Sequence, residues 1–242
     1  MRLIIEFKSL TDFNYYDVNK YNVQGFIYSL LKNTEFKDYH DMHGFKFFNF
    51  SNIFPVSNFK YDEHKKLIIS SPSSAFIKLL YYKLSNMDVF RLNKYYFEIV
   101  QLKLFKSTCS NSLISGTPLI LFEDKDENRY FSFNGGNLDF DFFFKRLKDN
   151  AEKKYNAYTG ENYILESDLF DNFEFNREVS IELTIRNNTF LTIGNLWKEL
   201  SKDIRRDDKH FYNFLFDVGL GEKNSMGFGF LNNNRRWKKN AK

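Results

Sequence analysis

With one cysteine, Cys109, the chain has no internal disulfide and no metal site built from several thiolates. It also lacks any apolar run near the roughly 18 residues that a membrane span requires. The N-terminal MRLIIEFKSL carries charges at Arg2, Glu6 and Lys8, which is unlike the apolar core of a secretory signal. A cytoplasmic protein without a membrane partner is therefore expected. Neither sign of charge dominates, with 35 Lys and Arg against 31 Asp and Glu. A net +4 and a pI near 8.8 permit a polyanionic partner without demanding one.

The chain is rich in apolar and aromatic residues, at 43% and 19%, with 27% charged, the composition of a folded protein. Its 242 residues suffice for one large domain or two small ones. Residues 2–8 read as a strand. Residues 19–32 read as a helix whose stripe is Val23, Phe26, Ile27, Leu30 and Leu31. Strands are expected at 44–54, 65–71 and 94–105, with a second helix carrying Phe76, Leu80 and Leu84 between the last two. That order, β-α-β-β-α-β, is the ferredoxin-like unit. Residues 106–112 then break the pattern as a linker. Beyond them lie a strand pair around 124–128, a helix at 138–158, a strand at 173–185 and a helix at 208–218. Gly219 stands at the helix C-cap, and MGFGFL follows as a final strand. The expected architecture is α+β: two tandem ferredoxin-like (RRM-like) domains, 1–108 and 109–242, the second with a glycine-rich loop before its last strand.

Glycine is scarce, eleven in all, yet four fall within VGLGEKNSMGFGFL, residues 218–231. The spacing is neither G-x-G-x-x-G opening a helix nor a P-loop. One reading is a helix cap and a loop with small residues where backbones pass closely. The other is a phosphate-tracking loop, with bare amides at Gly219, Gly221, Gly227 and Gly229 joined by Lys223, Asn224 and Ser225.

The string GLGEKNSMGFGFL, closing a chain of two such units, resembles the glycine-rich signature of the CRISPR repeat-processing endoribonucleases of the RAMP superfamily. The run YNVQGFIYSLLKNTEFKDYHDMHGFKFF (21–48) is similar to that family's first helix and catalytic loop. The resemblance implies cleavage of CRISPR precursor RNA within its repeats, without metal or other cofactor. The ribose 2′-OH would attack the adjacent phosphorus, leaving a 2′,3′-cyclic phosphate and a 5′-OH.

Of four histidines, His40 and His43 share the polar stretch KDYHDMHG. Read alone, they are exposed loop residues or, with Asp41, part of a metal site. Tyr28 points about 130° from the centre of the buried stripe of its helix, so the core does not need it. The family's catalytic Tyr, His and Lys correspond here to Tyr28, His40 and Lys46, with the share of His43 left open. The resemblance also places RNA in a cleft between the domains, its backbone against the glycine-rich loop. Arg205 and Arg206, with Lys202 and Lys209 nearby, form either an RNA contact or a solvated helix start. The basic tail NNNRRWKKNAK (232–242) reads as a solvated end or a second RNA contact. An RNA-binding RAMP subunit of an effector complex, without catalysis, is the alternative. A small-molecule enzyme on the same fold is a third reading. Dimerisation and association with other Cas subunits stay open.

Overall fold

Along Arg2–Ser9 (β1), Leu3, Ile5 and Phe7 alternate into the core and are fully buried, the signature of a strand covered on one face. The computed structural model describes residues 1–124, 126–127, 129–133, 139–185 and 188–234. Helix α1 (Lys20–Leu31) follows; Asn19 caps it reciprocally with Asn22, and the five residues of the expected stripe are buried. Then come β2 (Asn49–Phe50), β3 (His64–Ser70), α2 (Ser74–Ser85), β4 (Val89–Leu92) and β5 (Tyr95–Phe105). The sheet order is β2-β3-β1-β5-β4, with all pairs antiparallel.

The second half comprises β6 (Ser112–Ser115), the hairpin β7 (Phe122–Asp124) and β8 (Arg129–Tyr130), and α3 (Phe140–Thr159). It continues with β9 (Asn172–Ile185), β10 (Asn188–Ser201), α4 (Lys209–Val218) and β11 (Leu231–Asn233). Its sheet runs β11-β6-β10-β9. Leaving aside the β7–β8 hairpin and the edge strand β4, both sheets have the ferredoxin-like order 4-1-3-2, so the fold is two tandem ferredoxin-like units. Each unit has its own core. In the second, Phe143, Leu147 and Ala151 of α3 pack with Trp197 of β10 and with Phe211 and Leu215 of α4.

Three expectations change. Residues 44–54 pair as a strand only at Asn49–Phe50, because Phe47 takes a left-handed backbone (φ 49°) and packs with Tyr158 and Phe214 of the other unit. Residues 188–201, given no element above, form β10. MGFGFL is not a strand. A 3-10 turn, Asn224–Met226, occupies its start, and pairing begins only at Leu231.

The two units are locked by polar groups that cross between them. Arg2 donates to the carbonyls of Phe216 (2.7 Å) and Leu231 (2.9 Å), and its guanidinium lies 3.8 Å from the Phe216 ring centre. Burial draws its pKa down to about 10. Asn49 of β2 donates to the carbonyl of Phe228 at 2.9 Å. The end of α4 and the glycine-rich loop therefore rest on the first sheet.

Candidate active site

After α1 the chain is pinned to the first core by Phe36 and Tyr39, whose rings lie 5.3 and 5.7 Å from Phe76. The residues after this anchor stand clear of the core. His40 lies edge-on to Tyr28 with ring centres 5.2 Å apart, and its Nδ1 is 2.5 Å from Asp41 Oδ1. An ionised carboxylate only accepts, so Nδ1 carries the proton and Nε2 is left for chemistry. Lys46 turns its ammonium back under the same loop and donates to the carbonyls of Met42 and His40. Partial burial lowers its pKa, while Asp41 acts in the opposite sense.

Tyr28 reaches the other unit. Gln24, one turn earlier on α1, donates to Tyr28 Oη (3.5 Å) and to Ser225 Oγ (3.4 Å) in the glycine-rich loop. Burial raises the Tyr28 pKa against weaker opposing bonds from Ser225 and Gln24, so the phenol keeps its proton and acts as a donor.

The glycine-rich loop is held from both sides by lysines, Lys154 buried and Lys20 half-buried. Lys154 of α3 donates to the carbonyls of Gly219 (3.1 Å) and Gly221 (2.7 Å) and to Asn224 Oδ1 (2.5 Å). Lys20, at the start of α1, donates to the carbonyl of Gly227 (2.7 Å) and to Asn52 (3.0 Å). Desolvation draws both ammonium groups down to about 7. The glycines serve close packing: a Cβ at Gly227 would strike the Phe50 ring, and one at Gly229 the carbonyl of Leu220.

Between the loops lies a cavity of about 690 Å³. Lys46, Lys223 and Ser225 line one side; Arg146, Asn150 and Lys153 of α3 line the other. With the buried Lys154, five cations border it against two carboxylates, Asp149 and Glu222. Such an excess suits a phosphodiester chain.

Residues 103–233 match the family model described as CRISPR associated protein Cas6, C-terminal. Over 238 residues the chain is 42% identical to the CRISPR-associated endoribonuclease Cas6 2 of Methanocaldococcus jannaschii, covering 96% of this chain and 99% of that protein. The chain belongs to the Cas6 family. It is accordingly an endoribonuclease. A solved structure described as CRISPR associated protein Cas6 shares the fold at a TM-score of 0.70 and 24% identity, covering 97% of this chain and 99% of that one. A second, described as an RAMP protein binding different RNA substrates, aligns at 0.68 and 16%, covering 97% and 100%.

Against this Cas6 frame, the expected residues divide into groups. His40 adjoins both Tyr28, ring against ring, and Lys46, which donates to its carbonyl; of the three only Lys46 lines the cavity, and His43 is exposed three residues further along. Lys223 and Ser225 line the cavity. Asn224 also borders the cavity but is buried, and its amide donates to the carbonyls of Leu220 (2.9 Å) and Phe228 (3.0 Å). Gly219, Gly221, Gly227 and Gly229 likewise turn their Cα faces into the protein, and the amides of Gly219 and Gly229 are bonded to the carbonyls of Leu215 and Pro118. Arg205 and Arg206 are exposed at the far end of α4, about 15 Å of helix from the loop. Lys202 is tied to Asp171 at 2.6 Å. The basic residues 235–242 lie outside the described residues. Among those described, no three His, Cys, Asp or Glu side chains converge to hold a metal, and no helix is long and apolar enough to cross a membrane. Sequence reasoning missed Lys20, Gln24, Arg146, Lys153 and Lys154, since a lysine in a helix ordinarily reads as solvated.

Proposed function

We propose that this Cas6 protein cuts CRISPR precursor RNA within its repeats, in the cytoplasm and without a metal, using Tyr28, His40 and Lys46. Residues 1–108 and 109–242 act as two domains that share the RNA between them. The observation that carries this reading is the meeting of Tyr28 with His40 on one side and with Ser225 on the other.

His40 Nε2 takes the proton of the 2′-OH, helped by Asp41, which orients the ring and balances the imidazolium that forms. The 2′-oxygen bonds to phosphorus as the P–O5′ bond breaks. The leaving oxygen takes a proton from solvent, giving a 2′,3′-cyclic phosphate and a free 5′-OH. Lys46 has three N–H groups, two of them on loop carbonyls, and directs the third at the non-bridging oxygens. The Tyr28 phenol donates to the same phosphate, and Lys223 and Ser225 hold the strand on the glycine-loop side.

The test is incubation with a repeat RNA from the same genome in EDTA, comparing wild type with His40→Ala and an all-ribose RNA with one carrying a deoxyribose at the cut. Cleavage should need both His40 and that 2′-OH. Cutting only with added Mg²⁺ would sink the mechanism. Tight binding without cleavage by wild type would make the chain an RNA holder instead.

A further inference from the structure

The α3 side of the cavity carries two polar atoms that nothing in the protein satisfies. Arg146 Nε, a donor, and Asn150 Oδ1, an acceptor, are shielded from water and have no hydrogen-bond partner. Native proteins leave few such groups, and each calls for a reason. The residues stand one turn apart on α3 and both line the cavity, yet they are not bonded to each other. Arg146 is lightly held, by one 3.4 Å contact from Nη2 to the Phe122 carbonyl. Phe45 and Phe122 add aromatic lining. Lys153 is exposed at the rim, and neither it nor Arg146 is in an ion pair among the described residues. The volume, about 690 Å³, falls in the range of roughly 300–1,000 Å³ that encloses one small organic ligand.

We propose that this cavity seats one unpaired RNA nucleotide beside the cleaved phosphodiester, with Arg146 and Asn150 reading the edge of its base. This rests on the placing of that phosphodiester at Lys46. A base edge presents an acceptor next to a donor. Arg146 donates to the former and Asn150 accepts from the latter, while Phe45 and Phe122 meet the ring and Lys153 a phosphate. Unstacked bases held by aromatic faces and read at their edges are the usual route to sequence-specific RNA recognition.

The test titrates the full chain with repeat RNA carrying a deoxyribose at the cut, so that binding alone is read. In a series, each base around the cut is replaced in turn by an abasic residue. One abasic position within about three nucleotides of the cut should weaken wild-type binding roughly tenfold. With Arg146→Met and Asn150→Leu combined, intact and abasic RNA should bind alike at that position. Lys153→Ala, an exposed change, should lower the salt slope of binding by about one. If wild type binds every abasic RNA within about twofold of the intact one while still preferring the repeat, the base pocket is overturned and the proposed function stands. A double variant that still discriminates overturns the role of the pair. Should that variant fail to fold, the wild-type series decides alone. If wild type prefers no repeat RNA over unrelated RNA, the reading of the active site falls first, and the pocket with it.

Discussion

The two loops that meet at the cavity are built on opposite plans. The loop carrying His40 is open: the His40 side chain is 63% exposed and that of Asp41 87%, and the Lys46 ammonium bonds only to backbone a few residues away. The glycine-rich loop is closed. Asn224 is 9% exposed, and its neighbours are bonded by lysines 65 and 207 residues distant in sequence. In the proposed mechanism one loop supplies the groups that move protons and follow a substrate, and the other the fixed surface against which they work. Damage to the first should therefore appear in rate, and damage to the second in stability.

His40→Ala should break this division most visibly. Losing one proton-transfer group costs roughly 10²- to 10⁴-fold. The single-turnover cleavage rate should fall by that factor with the unfolding temperature unchanged; a matching loss of stability would mean the open loop is structural after all. Next comes Lys154→Met, which leaves two carbonyls and Asn224 Oδ1 without a donor in a dry site. A loss of about 3 kcal/mol is expected in urea unfolding. The same lysine sets a pH signature. Its folded pKa is drawn down to about 7 from the ordinary 10.5, so in that window the unfolded chain binds the extra proton. Stability should rise with pH from about 7 upward and stay level below it, and Lys154→Met should remove this lysine's share of the rise, leaving that of Lys20. Melting curves from pH 7 upward would decide it.

Gly227→Ala sharpens the contrast at a smaller scale, since the added methyl meets the Phe50 ring at a backbone φ of 80°. About 2 kcal/mol should be lost, measured by the same unfolding, with cleavage per folded molecule reduced because Ser225 shifts. Asp41→Asn should be mildest. Its carboxylate is mostly solvated, so about a threefold slower cleavage is expected, with unchanged RNA affinity in a binding titration.

Much of this was legible in the chain. The stripe on α1 and the alternation of β1 report burial directly, because period and face are local properties. The aromatic run GFKFFNF misled for a physical reason: Phe48 and Phe50 are buried, as in a strand, but Phe47 packs its ring against the other unit through a left-handed backbone. The glycine stretch stood out as special, though its glycines serve fit against Phe50, Ile120 and Leu220 more than exposure of amides. Half-buried Lys20 and buried Lys154 were hidden because nothing near them in sequence announces the carbonyls they satisfy. Arg205 and Arg206 were marked by charge alone, and the structure leaves both exposed just before α4.

The contact between Gln24 and Ser225 spans 201 residues, and Arg2 reaches Leu231 across 229. A growing chain therefore has its histidine and tyrosine in hand long before it has an active site. At a synthesis rate of roughly 5–20 residues per second, about 6 to 25 s separate a complete first unit from the arrival of the glycine-rich loop. During that interval the nascent protein holds the two residues to which the proposed mechanism gives the proton chemistry, without the loop they are to work against.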